Sequence, residues 1–95
     1  MRVENFTNSR GNKVKNQNNF CILDNDVIYF QSYNSIIAKK DLRHDRKGKY
    51  ITLDENYWDF SATTGRFRNL FLGENIAETR KKIASGEYEL ANLNG

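Results

Sequence analysis

A chain of 95 residues, 38% of them hydrophobic and none of them proline, has room for one domain around one modest core and excludes a second. Its formal charge of +3 permits an anionic partner without requiring one, and its single cysteine, Cys21, excludes an internal disulfide and fits a reducing compartment. No stretch approaches the roughly 18 consecutive apolar residues of a membrane span, and the opening MRVENFTNSRGNKVKNQNNF lacks the apolar segment of a signal peptide; no membrane partner is expected, and the chain is expected in the cytosol. A domain this small buries only about 60–65% of its unfolded surface, which leaves a role for a partner or a homodimer contact.

In chain order, 1–19 reads as a polar N-terminal arm: from Asn5 to Asn19 it is rich in asparagine and holds Arg10, Lys13 and Lys15 without an apolar period. The remainder, 20–95, reads as one α+β domain. Four short segments dominated by aromatic and β-branched residues predict strands: FCIL (20–23), VIYFQSY (27–33), SIIAK (35–39) and KYITL (49–53). Asp24, Asn25 and Asp26 suit a tight hairpin because Asn and Asp tolerate positive φ, and Tyr33, Asn34 and Ser35 form a second reversal or a bulge. An antiparallel meander follows. Between its last two strands the run KKDLRHDRKGK (39–49) carries six basic and two acidic residues and reads as a charged hairpin loop.

The period then changes. Thr63 or Thr64 is placed to cap a helix over about 65–72, with Phe67, Leu70 and Phe71 on one face and Gly73 as its stop. Asn75 followed by Glu78 predicts a capping box for a second helix ending at Gly86. The tail, with Tyr88, Leu90 and Leu93, packs back or adds an edge strand. The expected fold is a small antiparallel β-meander followed by two short C-terminal helices, with Phe30, Ile37, Ile51, Trp58, Phe67, Leu70 and Phe71 sharing one core.

Two helices joined at a glycine invite a helix-turn-helix, but Arg68, Glu74, Thr79 and Lys82 would fall where that motif buries apolar side chains. Nucleic-acid binding would instead use Arg66 and Arg68 around Phe67, supported by the basic loop; the helical period places Phe67 in the core and leaves the arginines as solvated charges. His44 lies in the charged loop, a poor platform for acid or base chemistry. Asp24 with Asp26, and Asp54 with Glu55, could bind magnesium but suit turns better. Cys21 and His44 are too few for zinc, and Cys21 in a strand reads as a small buried hydrophobe. No cofactor, metal or catalytic residue is expected. The residues expected to meet a partner are Lys39, Lys40, Arg43, Arg46, Lys47, Lys49, Arg66 and Arg68.

Three segments, NSRGNKVKNQ, YFQSYNSIIAK and YWDFSATTGRFRNLFLGENIAETRKKIASGEYELANLN, together resemble a group of short proteins from bacteriophages and related mobile elements that share an S-R-G-N arm, a Q-S-Y-x-S-I-I-A strand and an S-x-T-T-x-x-x-R-N-x-F-L-G helix. The charged segment RHDRKGK is longer than that pattern. The resemblance brings no catalytic residues. It implies a non-enzymatic phage accessory protein that acts in the host bacterial cytoplasm by binding a host protein or ribonucleoprotein complex, as an anti-defence or anti-CRISPR inhibitor. The alternatives are a nucleic-acid-binding accessory protein and an unrecognised metal-dependent nuclease.

Overall fold

The computed structural model describes residues 2–6 and 18–95. Strands β1 (Arg2–Glu4), β2 (Asn19–Asp24), β3 (Val27–Ser32), β4 (Ser35–Asp41) and β5 (Ile51–Asp54) precede helices α1 (Ala62–Leu72) and α2 (Ile76–Ser85), and β6 (Tyr88–Ala91) closes the chain. They form one six-stranded sheet in the order β1-β2-β3-β4-β5-β6. Every pairing is antiparallel except β5 with β6. A parallel neighbour needs a crossover, and α1 and α2 supply it. The class is α+β, as the sequence predicts, and β6 is the additional strand offered by the tail. No helix among the described residues is long and apolar enough to cross a membrane.

The two hairpins turn where the sequence places them. Asp24 pairs with Val27 and Ser32 with Ser35, leaving two-residue loops at Asn25-Asp26 and Tyr33-Asn34. Asn25 has φ 56° and Tyr33 φ 55°. Asn tolerates that region; an aromatic residue does so at a cost. Between Phe30 and Gln31 the β3–β4 register shifts, because Ala38 lies opposite Phe30 and Ile36 opposite Gln31. Ile37 is the extra residue of this β-bulge. Two successive residues, Ile37 and Ala38, therefore face the same side, and both are fully buried.

That side is covered by the helices. Phe30, Ile37, Ala38, Ile51, Leu53 and Tyr88 from the sheet meet Phe67 and Phe71 from α1. Phe6 joins them, its ring 5.3 Å from Phe30 and 5.2 Å from Phe67. The polar arm expected over 1–19 thus contributes a strand and a core aromatic at its start and the first residue of β2 at its end; Arg10, Lys13 and Lys15 lie outside the described residues. Trp58 packs on the edge of the core. Leu70, expected inside, is 46% exposed. The buried stripe of α1 is Thr64, Gly65, Phe67, Arg68 and Phe71, and Leu70 falls roughly a third of a turn away from its centre.

The caps differ in one respect from expectation. Ser61, not Thr63 or Thr64, caps α1, its hydroxyl accepting from the Thr64 amide at 3.1 Å. Thr64 instead turns inward, its Oγ1 2.8 Å from the Ser32 hydroxyl on β3. Gly73 ends α1 with φ 70°, and α2 has the complete capping box of Asn75 and Glu78.

Candidate functional site

Alternation along β4 divides the basic residues that lie together in sequence. Lys40 pairs with Ile28 and Ile51, on the helix side. Its ammonium sits 4.5 Å from the centre of the Phe71 ring, and burial pushes its pKa down. Cys21 lines the same recess, where burial pushes its thiol up to about 11, a protonated and unreactive state at neutral pH. Lys39 pairs with Tyr29 and Thr52 and faces the opposite side of the sheet. Lys40 is therefore separated from the rest of the basic cluster.

On that opposite side, the 42–50 loop leans over the sheet, anchored where the Asp41 amide donates to the Tyr50 carbonyl at 2.8 Å. Lys39, Arg43, Lys47 and Lys49 line a cleft of about 300 Å³ together with Asp41, Asp45 and Glu89. Arg43 is already engaged: Nε and one terminal nitrogen donate to the two Asp41 oxygens at 2.9 and 2.7 Å. The Arg43 guanidinium holds the Asp41 carboxyl down at about 2. Four basic groups thus face three acidic ones, and a phosphate backbone entering here would meet carboxylates as well as cations. Arg46 stands 5.6 Å over the ring of Tyr50, which is 44% exposed. His44 is exposed in the same loop.

Arg66 and Arg68, adjacent in the sequence motif, have different fates. Arg66 is exposed, its guanidinium over the Phe67 ring at 5.2 Å from the centre. Arg68, expected on the surface, is 1% exposed. One terminal nitrogen donates to the Trp58 carbonyl at 2.9 Å and to Asp59 at 3.1 Å, and the other to the Asn69 side chain at 3.1 Å. The guanidinium also lies over Trp58, 5.5 Å from its ring centre. A planar fork of five donors suits such a site where an ammonium would not. Arg68 therefore bolts α1 to the turn before it.

Other polar residues are likewise turned inward. Asp54 is fully buried; one oxygen accepts from the amides of Asn56 and Tyr57, the other from the Leu93 amide and the Asn94 side chain, all at 2.8–3.0 Å. Glu74 accepts from Lys82 at 2.7 Å, Tyr88 at 2.8 Å and Thr79 at 2.6 Å. Arg68, Glu74 and Thr79, whose polarity spoke against a helix-turn-helix, are thus accommodated between α1, α2 and the sheet by hydrogen bonds. Asp24 and Asp26 are exposed at their hairpin, and no group of three or more His, Cys, Asp or Glu residues among the described ones could hold a metal ion.

A second surface forms around the start of α1. Asp59, Phe60, Gly65, Arg66, Asn69 and Ile76 are among the walls of a cleft of about 530 Å³, with Arg68 at its inner side. Phe60 is 48% exposed and Tyr57 39%, their rings edge-on at 5.7 Å. Basic residues were legible here from the sequence; the exposed aromatic pair was not, because Tyr57 and Phe60 lie in a turn with no apolar period to say which way they face.

The fold and its two surfaces describe a small single-sheet α+β protein in which some charged residues, Arg43, Arg68, Glu74 and Lys82 among them, are paired internally. The chain belongs to a family of unknown function (DUF8033), whose family model matches residues 1–86. No curated protein and no solved structure matches it.

Proposed function

We propose that this chain is a non-enzymatic phage accessory protein that acts inside the host bacterium by binding a protein component of the host's machinery, as an anti-defence or anti-CRISPR inhibitor. The phage origin rests on the sequence resemblance. The binding mode rests on one observation: exposed aromatic residues stand beside exposed arginines, Tyr50 with Arg46 and the Tyr57–Phe60 pair with Arg66. Aromatic residues and arginine are the types enriched where proteins bind one another. Nucleic-acid binding fits less well, since the most basic segment is offset by Asp41, Asp45 and Glu89 in its own cleft.

Expression of the chain in bacteria carrying defined defence systems tests the reading. A phage blocked by one such system should regain plating efficiency, and a triple variant Arg46→Glu, Lys47→Glu, Lys49→Glu should reduce that rescue if the 42–50 loop steers association. Unchanged plating across the panel would refute the inhibitory role. Tight DNA or RNA binding that weakens steeply with salt would favour the nucleic-acid alternative.

A further inference from the structure

We propose that the cleft at the start of α1 is a docking site for an acidic peptide segment of a protein partner, one carboxylate flanked by an apolar side chain. This deepens the protein-binding reading above and rests on it.

The apolar half of the site comes from Phe60 and Ile76. Phe60 keeps nearly half of its surface in water although Tyr57 braces its ring edge-on, and Ile76, at the first turn of α2, forms the facing wall. A braced aromatic of this kind is already ordered, so burying it under a partner costs little further side-chain entropy.

The polar half is cationic. Arg66 and Arg68 line the cleft with a single carboxylate, Asp59, which binds Arg68 at 3.1 Å and also Arg80, outside the lining, at 3.4 Å. Arg66 has no carboxylate within 4.0 Å among the described residues. The first turn of α1 contains no acidic residue to offset the positive end of its dipole. Inside the cleft, Arg68 is almost fully buried, and its Nε has no hydrogen-bond partner among the described residues. Gly65 leaves the approach open: a Cβ there would stand 3.4 Å from an Arg68 terminal nitrogen. Positive charge in excess beside an apolar wall selects a carboxylate next to an apolar side chain.

A nucleic-acid strand is the less suitable occupant. It presents a row of phosphates and needs a row of free cations, whereas among the described residues of this cleft Arg66 is the one cation without a carboxylate. A small inorganic anion would leave Phe60 and Ile76 unused.

The test is selection of random peptides displayed on filamentous particles against the immobilised chain, followed by titration of one enriched synthetic peptide into isotopically labelled protein. Enriched sequences should carry Asp or Glu beside Leu, Ile or Phe, and the peptide should shift amide resonances between residues 59 and 66 and at Asn69 and Ile76. Arg66→Glu and Phe60→Ala, both at exposed positions and checked for unchanged thermal unfolding, should each weaken the peptide by at least about tenfold. No enrichment over a bare support, equal binding by both variants, or displacement of the peptide by a short oligothymidine that itself binds more tightly would each overturn the proposal. The plating experiment separates the two readings: rescue by the parent and equally by both variants would remove this cleft from function while leaving the inhibitory role intact.

Discussion

Asp54 ends β5 beneath the C-terminal tail, and its two oxygens receive four hydrogen bonds in a site without solvent. Removing a shared acceptor leaves several donors to find water or remain unmet, which is costly when they are buried. Asp54→Ala should therefore lower the unfolding free energy by about 2–4 kcal/mol in urea titration; a loss below about 0.5 kcal/mol would mean that the tail holds its place without this carboxylate. The sequence shows only half of this residue's work. Asp in LDENY reads as a turn former, and its bonds to the amides of Asn56 and Tyr57 are local in that way. Its other partners, Leu93 and Asn94, lie 39 and 40 residues away, a separation that turn chemistry does not reveal. Arg68 escapes sequence reasoning for a related reason: a charge on a helix is normally solvated, and only the three acceptors gathered from Trp58, Asp59 and Asn69 make its burial affordable.

At the scale of single elements, the caps of α1 and the latch at Glu74 make separable demands. Ser61→Ala should cost about 1 kcal/mol by removing the acceptor for the Thr64 amide, whereas Thr63→Ala, at an exposed position, should change stability by less than about 0.5 kcal/mol. Equal costs would place the cap elsewhere. A hydroxyl cluster such as SATT announces a helix start clearly, but which hydroxyl faces the amide depends on the path of the chain into the helix, which Arg68 ties down through the Trp58 carbonyl. Glu74 ties the turn between the helices to α2 and β6. Burial pushes its carboxyl up, but the bonds from Lys82, Thr79 and Tyr88 outweigh it and leave the net pKa below the ordinary value, while burial and the bond to Glu74 push the Tyr88 hydroxyl up to about 12. A depressed folded pKa gives stability that is fully present above the unfolded carboxylate value and is lost as pH falls through the folded one. The same sign holds for Asp41, held at about 2. The melting temperature should therefore fall on acidification below about pH 4.5, with a shallower fall in Glu74→Gln; identical acid profiles for parent and variant would show that the latch carries no linkage.

At the scale of the whole molecule, residues 2–6 belong to the folded unit, as strand β1 and the core aromatic Phe6. Phe6 is 7% exposed and packs against one ring from β3 and one from α1, so Phe6→Ala should cost about 3–5 kcal/mol in a domain whose total stability is on the order of 5–15 kcal/mol. Denaturant unfolding measures this directly, and a loss under about 1 kcal/mol would detach β1 from the cooperative unit. Nothing in MRVENF announces this role: a three-residue strand is too short to show alternation, and the polar residues that follow mask it. The meander and the helix pair were legible because each rests on local signals, namely hairpin residues, a capping box and the spacing of Phe67 and Phe71. The parallel return of β6 was not, since it depends on a register set across the sheet, and the division of Lys39 from Lys40 was not, because β4 runs on to Asp41 where a loop was expected from Lys39.

The bulge at Ile37 bears on how this chain can change in length. It stores one residue of slack in β4. Deleting either Ile37 or Ala38 would leave a regular ladder in which Lys39 still lies opposite Tyr29 and Lys40 opposite Ile28, at the cost of one side chain in the core. An inserted residue has no such reserve and would carry the two lysines to exchanged faces. Growth is absorbed instead between Leu42 and Tyr50, where both ends are clamped by the Asp41 amide on the Tyr50 carbonyl, so length can vary on the outer side of the sheet while the helix-facing side keeps its pattern.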